Sequence, residues 1–385
     1  MTTFTRDRFT WLAYLFLAFY GYFLNVLGPI TPYLKAELGL SYTVSSLHFT
    51  AFATGILAVG LVGHVLIRRV GRAAALWIGA FGMSLGALLL LAGRSPVVTI
   101  AAAFCTGLVG SLILAIVPAA LADRHGEGRA IALSEANVIA SIACALAPLM
   151  VGWAAGLPGG WRLALALAAG APILMYLGFR RATPPPAAAA AAQRAARALP
   201  RGYWVYWAAL MLAVSIEFCM IFWSADYLET GLGLRRVDAV QAVSLFLVGM
   251  IVGRLAGSRL VQRYPARGLV LASTLVAAAG FLLFWTTGDA ALGLLGLTIA
   301  GLGVASLYPL ILALALGAAG ADTVQAGARA TLASGTAILA LPLVLGRLAD
   351  LAGIRPAYGV VAVLLAGVFG IIAATAARRP VQQPT

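Results

Sequence analysis

The chain has 385 residues, of which 62% are hydrophobic and 10% charged, with a formal net charge of +14 and a mean hydropathy of +0.99. No water-soluble domain is that apolar, and the charges gather between apolar runs of about twenty residues, the length that crosses a bilayer. Composition therefore excludes a soluble enzyme or binding module, and it makes nucleic acid an unneeded partner, because the placement of the positive charge follows membrane topology.

The first apolar run, 9–34, is too long for the core of a signal peptide and lacks a small-residue exit, so it is expected to stay as a span. Runs at 43–67, 73–92, 97–122, 130–156 and 162–180 complete a first group of six. A segment with Pro184, Pro185, Pro186, an alanine tract, Arg194, Arg197 and Arg201 follows. The prolines cannot continue a helix, whereas the alanines permit a short one. Six more runs lie at 203–228, 237–261, 268–287, 290–318, 324–347 and 355–377. The chain thus divides into 1–180, a linker 181–202 whose arginines either meet anionic lipid or are solvated, and 203–385.

With the amino terminus inside, eighteen arginines fall on the cytoplasmic side, and seven basic residues fall outside: Lys35, Arg94, Arg162, Arg235, Arg236, Arg347 and Arg355. This asymmetry puts both termini in the cytoplasm. One lysine among many arginines, with much Ala, Gly and Leu, fits a GC-rich bacterial genome and hence a bacterial inner membrane.

The two groups of runs repeat at an offset of 194 residues. Pro148-Leu-Met-Val-Gly152 returns as Pro342-Leu-Val-Leu-Gly346, Gly107 as Gly301, and Tyr33-Leu34 as Tyr227-Leu228. Gly63, Leu66 and Arg69 return as Gly257, Leu260 and Arg263. Such repeats build paired bundles with the substrate site between them.

Twelve spans in two repeating halves, the Gly63-to-Arg72 loop and the Pro-ended fifth and eleventh spans together resemble the major facilitator superfamily, over the whole chain. The resemblance implies an all-α membrane protein of two pseudo-symmetric six-helix bundles around a central cavity, with alternating access by rocking of one bundle against the other. It also implies that the first, fourth, seventh and tenth helices line the cavity, and that Arg69 and Arg263 belong to a gate on the cytoplasmic side. That gate normally uses an acidic residue in the loop, where this chain has Ile67 and Arg68, and Val261 and Gln262 in the second copy. Asp123 and Asp350 have a similar local setting in other loops.

Few ionisable residues lie inside spans, and each is a functional candidate. Glu217 is about 21 Å into the seventh span. Desolvation disfavours a charged carboxyl there, so it is the candidate proton carrier, with a structural hydrogen bond or arginine pair as the alternative. Asp226, nine residues on, points to the opposite side of the same helix and lies near the outer surface. Arg254, about 10 Å from the inner end of the eighth span, either binds a substrate carboxylate, snorkels to the inner surface or pairs with Glu135 as an inner latch. Arg329, at the repeat position of Glu135, is a second gate candidate or a solvated residue.

Tyr22 and Asn25 offer hydrogen bonds to a polar substrate or to a neighbouring helix, and Ser224 shares the face of Glu217. Pro309 interrupts the tenth span and leaves Tyr308 beside a freed carbonyl, either as a binding site or as a packing kink. Trp223 either stacks on a ligand or faces lipid, and His48 and His64 read as packed residues.

Cys105, Cys144 and Cys219 are singly placed in apolar runs, so no disulfide, metal or cofactor is expected. No catalytic triad, zinc motif or phosphate loop appears, which speaks against an enzyme or an ATP-driven pump. The expected function is secondary transport of a small organic solute, coupled to protons through Glu217, by a monomer in the bilayer. An organic-anion symporter using Arg254, a proton-driven drug exporter and a transporter-like sensor are the alternatives.

Overall fold

The computed structural model describes residues 5–186, 198–320 and 323–377; Arg194, Arg197, Arg378 and Arg379 lie outside them. The first half folds into α1 (Arg8–Leu38), α2 (Tyr42–Val70), α3 (Arg72–Ala92), α4 (Pro96–His125), α5 (Arg129–Ala155) and α6 (Arg162–Phe179). The second half folds into α7 (Arg201–Leu232), α8 (Arg236–Leu260), α9 (Ala266–Thr286), α10 (Ala290–Val304), α11 (Leu307–Ala318), α12 (Thr323–Ala352), α13 (Ile354–Ala357) and α14 (Gly359–Ala377). No strand occurs among the described residues.

Among the described residues, eleven helical runs are long and apolar enough to cross a membrane, and one of them, Pro96–Ala155, is broken by a 3-10 turn at Gly126–Gly128 into α4 and α5. The protein therefore has the twelve spans of two six-helix bundles. Side chains at the helix starts satisfy free backbone N–H groups: Asp7 accepts from Thr10, Ser41 from Val44, Ser95 from Val98 and Asp289 from Leu292. The first span of each half ends on a left-handed glycine, Gly39 (φ 61°) and Gly233 (φ 71°), again 194 residues apart.

Two spans are interrupted, the tenth as its Pro309 led one to expect and the twelfth in addition. The tenth breaks at Ala305–Ser306 into α10 and α11, because Pro309 has no N–H to return to the Ala305 carbonyl. The twelfth begins as α13, directly after Gly353 (φ 86°), and restarts as α14 after Tyr358.

The repeat is visible in the packing. A Cβ on Gly107 would lie well under 3.0 Å from the carbonyl oxygen of Phe52, and one on Gly301 equally close to that of Phe246. Gly55 presses on the backbone of Leu108, as Gly249 does on that of Leu302; Gly86 presses on Thr106, as Gly280 does on Ala300. All partners keep the 194-residue offset. Without a hydrophobic drive between helices in lipid, such small-residue contacts are what let backbones approach.

Candidate functional site

The two bundles meet most tightly at the end away from the start of α1 and α7, here called the far side. Lys35, at the end of α1, donates from Nζ to Asp226 Oδ1 of α7 at 2.5 Å, and its ammonium lies 3.7 Å from the centre of the Tyr42 ring. Asp226 is 1% exposed. Asp350, at the end of α12, accepts from the N–H groups of Tyr42 and Thr43, each at 2.8 Å, and from the Thr43 hydroxyl at 2.5 Å. A carboxylate from one bundle thus caps a helix N-terminus of the other, where its charge suits the helix dipole. Deeper in, Phe49 of α2 stacks on Phe222 of α7 with centroids 4.0 Å apart, and Thr50 donates to the Leu339 carbonyl at 2.9 Å. Asp350→Ala removes three bonds from the α2 start and is expected to lower stability by about 1–2 kcal/mol, measured as a fall in Tm that Asp350→Asn only partly reproduces.

Ser244 of α8 donates to the Ala145 carbonyl of α5 at 2.8 Å, and Arg254 Nη1 donates to Ser141 Oγ of α5 at 3.2 Å. The hydrogen bonds and ion pairs that join described residues of the bundles all lie at the level of Arg254–Ser141 or beyond it toward the far side. On the termini side of that level, Leu61, Val62 and Leu66 of α2, Ile131 and Val138 of α5, and Leu255 of α8 are exposed. The cleft between the bundles is open toward the termini and shut on the far side.

The polar groups of this cleft gather at one level. Glu217, midway along the 32-residue α7, has Oε1 at 3.6 Å from Nη2 of Arg254, with side-chain exposures of 17% and 45%. Ser141 and Cys144 are one turn apart on α5 and share a face. Cys144 Sγ accepts from Asn25 Nδ2 of α1 at 3.0 Å, while the buried Asn25 Oδ1 has no partner. Tyr308 of α11 lies beside Ser334 of α12 and within electrostatic range of Glu217. The structure therefore brings Glu217, Arg254, Asn25 and Tyr308 toward one level, with Ser141 and Cys144 as members that sequence reasoning missed. Small polar residues in an apolar helix carry no distinguishing pattern.

The other candidates lie elsewhere. Tyr22 turns away from the cleft: its hydroxyl donates to the Ala164 carbonyl of α6 at 3.2 Å, and its ring lines an apolar cavity of about 580 Å³ between α1, α5 and α6. Ser224 is fully buried against Tyr358 inside the second bundle. Trp223 is also fully buried, bonded to the Pro342 carbonyl at 3.1 Å and edge-on to Phe49, so it neither faces lipid nor offers a free ring to a ligand.

Glu135 is held by Arg6 (2.5 and 2.8 Å) and by Tyr14 (3.0 Å). It is not joined to Arg254 in this arrangement, because Arg254 faces Ser141, six residues further along α5 and on a different face from Glu135. Arg69, Arg263 and Arg329 are exposed at the termini side. Arg72 bonds Asp123 at 2.6 Å, so Asp123 supplies a carboxylate to the second–third helix region, from the last turn of α4 rather than from a loop. His48 is buried and satisfied by Thr99 and Ser45, while His64 is exposed.

Comparisons with known proteins agree with this architecture. The Major Facilitator Superfamily model matches residues 11–327. An uncharacterised MFS-type transporter of Yersinia pestis is 30% identical over 172 residues, and the match spans less than half of either chain, 43% of this one and 44% of that one. A bacterial homologue of the human lysosomal transporter Spinster, crystallised inward-facing and unoccupied, superposes with a TM-score of 0.80 at 13% identity, over 98% of this chain and 99% of that one. A D-xylose–proton symporter gives 0.76 at 17% identity, over 94% and 96%. At these identities the two structures establish the shared fold.

Proposed function

The chain belongs to the major facilitator superfamily, and from that premise we propose that it is a secondary active transporter that carries a small organic solute by alternating access, with a proton bound at Glu217. The observation that carries this reading is the Glu217–Arg254 pair on the wall of a cleft open at one end and sealed at the other. A carboxyl in mid-membrane is costly to keep charged unless it is paired, so protonation and pairing are alternatives for Glu217. Loss of its charge frees Arg254 and alters the relative stability of the two cleft orientations.

Residues 1–180 and 203–385 form the two rocking bodies in this reading, joined by 181–202. In this reading, which the arginine asymmetry supports, the termini side faces the cytoplasm of a bacterium, the cleft opens inward, and Lys35, Asp226 and Asp350 close the outward gate. Arg254–Glu135, with Arg69, Arg263 and Arg329 near the same end, are candidates for the inner gate when the cleft reverses. A protomer already holds the whole cleft, so the transporter works as a monomer.

The test is flux in proteoliposomes, with a solute chosen by thermal-shift screening. A pH gradient of one unit sustains about tenfold accumulation by a one-proton symporter. Glu217→Gln, which mimics the protonated carboxyl, is expected to abolish this accumulation while exchange of labelled for unlabelled solute continues. Undiminished gradient-driven uptake by the variant would remove Glu217 from the coupling step.

A further inference from the structure

We infer that the cargo is a small organic monoanion, bound through its carboxylate at Arg254 and carried together with one proton on Glu217, in an electroneutral cycle. The inference rests on the transporter reading above and adds the substrate class and the stoichiometry.

At 3.6 Å the Glu217–Arg254 contact is longer than a charge-assisted hydrogen bond of about 2.7–2.9 Å. A guanidinium has five N–H donors in a planar fork. Ser141 takes one of them and Glu217 engages another only loosely, so Arg254, 45% exposed in the open cleft, retains donors for a planar two-oxygen acceptor. Glu217 is the more enclosed partner, at 17%. The titratable and charged groups that face it are Arg254 from α8, Tyr308 from α11 and Cys144 from α5, while α1 brings the neutral Asn25.

The charge balance of the site selects the cargo. The empty site, with Glu217 ionised and Arg254 cationic, sums to zero. A carboxylate on Arg254 with Glu217 still ionised leaves one net negative charge in mid-membrane, and a protonated Glu217 without an anion leaves one net positive charge. Only the empty site and the site holding both an anion and a proton are neutral. Reorienting a net charge through a low-dielectric interior is unfavourable, so these two states are the ones that exchange sides. One anion therefore moves with one proton. A neutral sugar leaves the pair intact and uncoupled, and a zwitterion needs no proton.

The experiment has two arms on the purified full chain. In detergent, thermal shift is measured with acetate, L-lactate, pyruvate and benzoate against L-alanine, D-xylose and tetraphenylphosphonium, at pH 5.5 and 7.5. Monocarboxylates are expected to stabilise the protein, more at pH 5.5. Arg254→Gln is expected to weaken that binding about tenfold or more, with partial recovery in Arg254→Lys. Glu217→Gln is expected to keep binding and lose its pH dependence.

In proteoliposomes, the best-binding monocarboxylate is expected to accumulate with a pH gradient and to ignore a potassium–valinomycin potential. Stabilisation by alanine, xylose or the phosphonium but by no monocarboxylate overturns the inference, as does a panel without any response. Potential-driven uptake overturns the one-to-one stoichiometry. A non-anionic solute whose proton coupling is lost in Glu217→Gln overturns this inference while sparing the transporter reading.

Discussion

Replacing Lys35 by alanine is expected to shift the protein toward the form open on the far side by about 10²-fold. Asp226 is 1% exposed, and its Oδ1 lies 2.5 Å from the Lys35 ammonium. Stripping one partner from a buried pair costs about 3–5 kcal/mol, because the remaining charge is left uncompensated. Lys35 retains 19% exposure, so the lower value applies, and about 3 kcal/mol corresponds to some two decades in an equilibrium. The penalty falls on the conformer that buries Asp226, so it appears as opening of the gate before it appears as unfolding.

The readout is labelling at Ser46→Cys with a membrane-impermeant maleimide, in a background lacking the three native cysteines. Ser46 is fully buried beside Gly346 at the α2–α12 seam. Lys35→Ala should make the site reactive from the far side. The double variant Lys35→Met with Asp226→Leu removes both charges and should return it to protection. Unchanged labelling in Lys35→Ala would show that the ion pair does not hold the gate.

The second large effect is expected at the repeat glycines. Gly107→Val places a branched side chain where even a methyl would collide with the Phe52 carbonyl oxygen, and Gly301→Val does the same at Phe246. The obstructing atoms are backbone, which cannot rotate away, so α2 and α4, or α8 and α10, must separate. Overpacking costs about 1–3 kcal/mol where side chains can adjust and more where they cannot; here about 3 kcal/mol or more is expected for each. Gly60→Ala and Gly170→Ala, with nothing within 4 Å of the added Cβ, should leave stability unchanged or slightly raised. Equal Tm values for the two classes of variant would refute the packing role of the repeat.

The polar site was legible in part. Glu217 and Arg254 stood out because charges inside apolar runs are rare, but the sequence left Arg254 with two partners, Glu135 or a substrate. The fold put a third, Glu217, at 3.6 Å, and committed Glu135 to Arg6 and Tyr14. Tyr22 and Asn25 are three residues apart on α1, yet one turns to α6 and the other to Cys144 of α5. The contacts that close the far side were harder still. Asp226 meets Lys35 191 residues away, and Asp350 meets Tyr42 across 308. One signal was present: Asp226 repeats the position of Pro32, one turn from Lys35, so opposite charges end the same pseudo-symmetric helix in the two halves.

The sequence by itself determined the membrane environment, the twelve spans, the doubled architecture and the break at Pro309. Each of these is set locally: by the length of an apolar run, a missing N–H, or a glycine that recurs at a constant offset. Only the tertiary structure decided which charges meet, which side of the cleft is shut, and which polar residues face it. A helix in lipid is apolar on its outer face as well as its inner one, so the pattern of its residues does not declare which side turns inward. A charge pair forms between residues that neighbouring helices bring to one level. That level depends on rotation and tilt, which the packing of glycines against distant backbones sets and the order of residues alone does not.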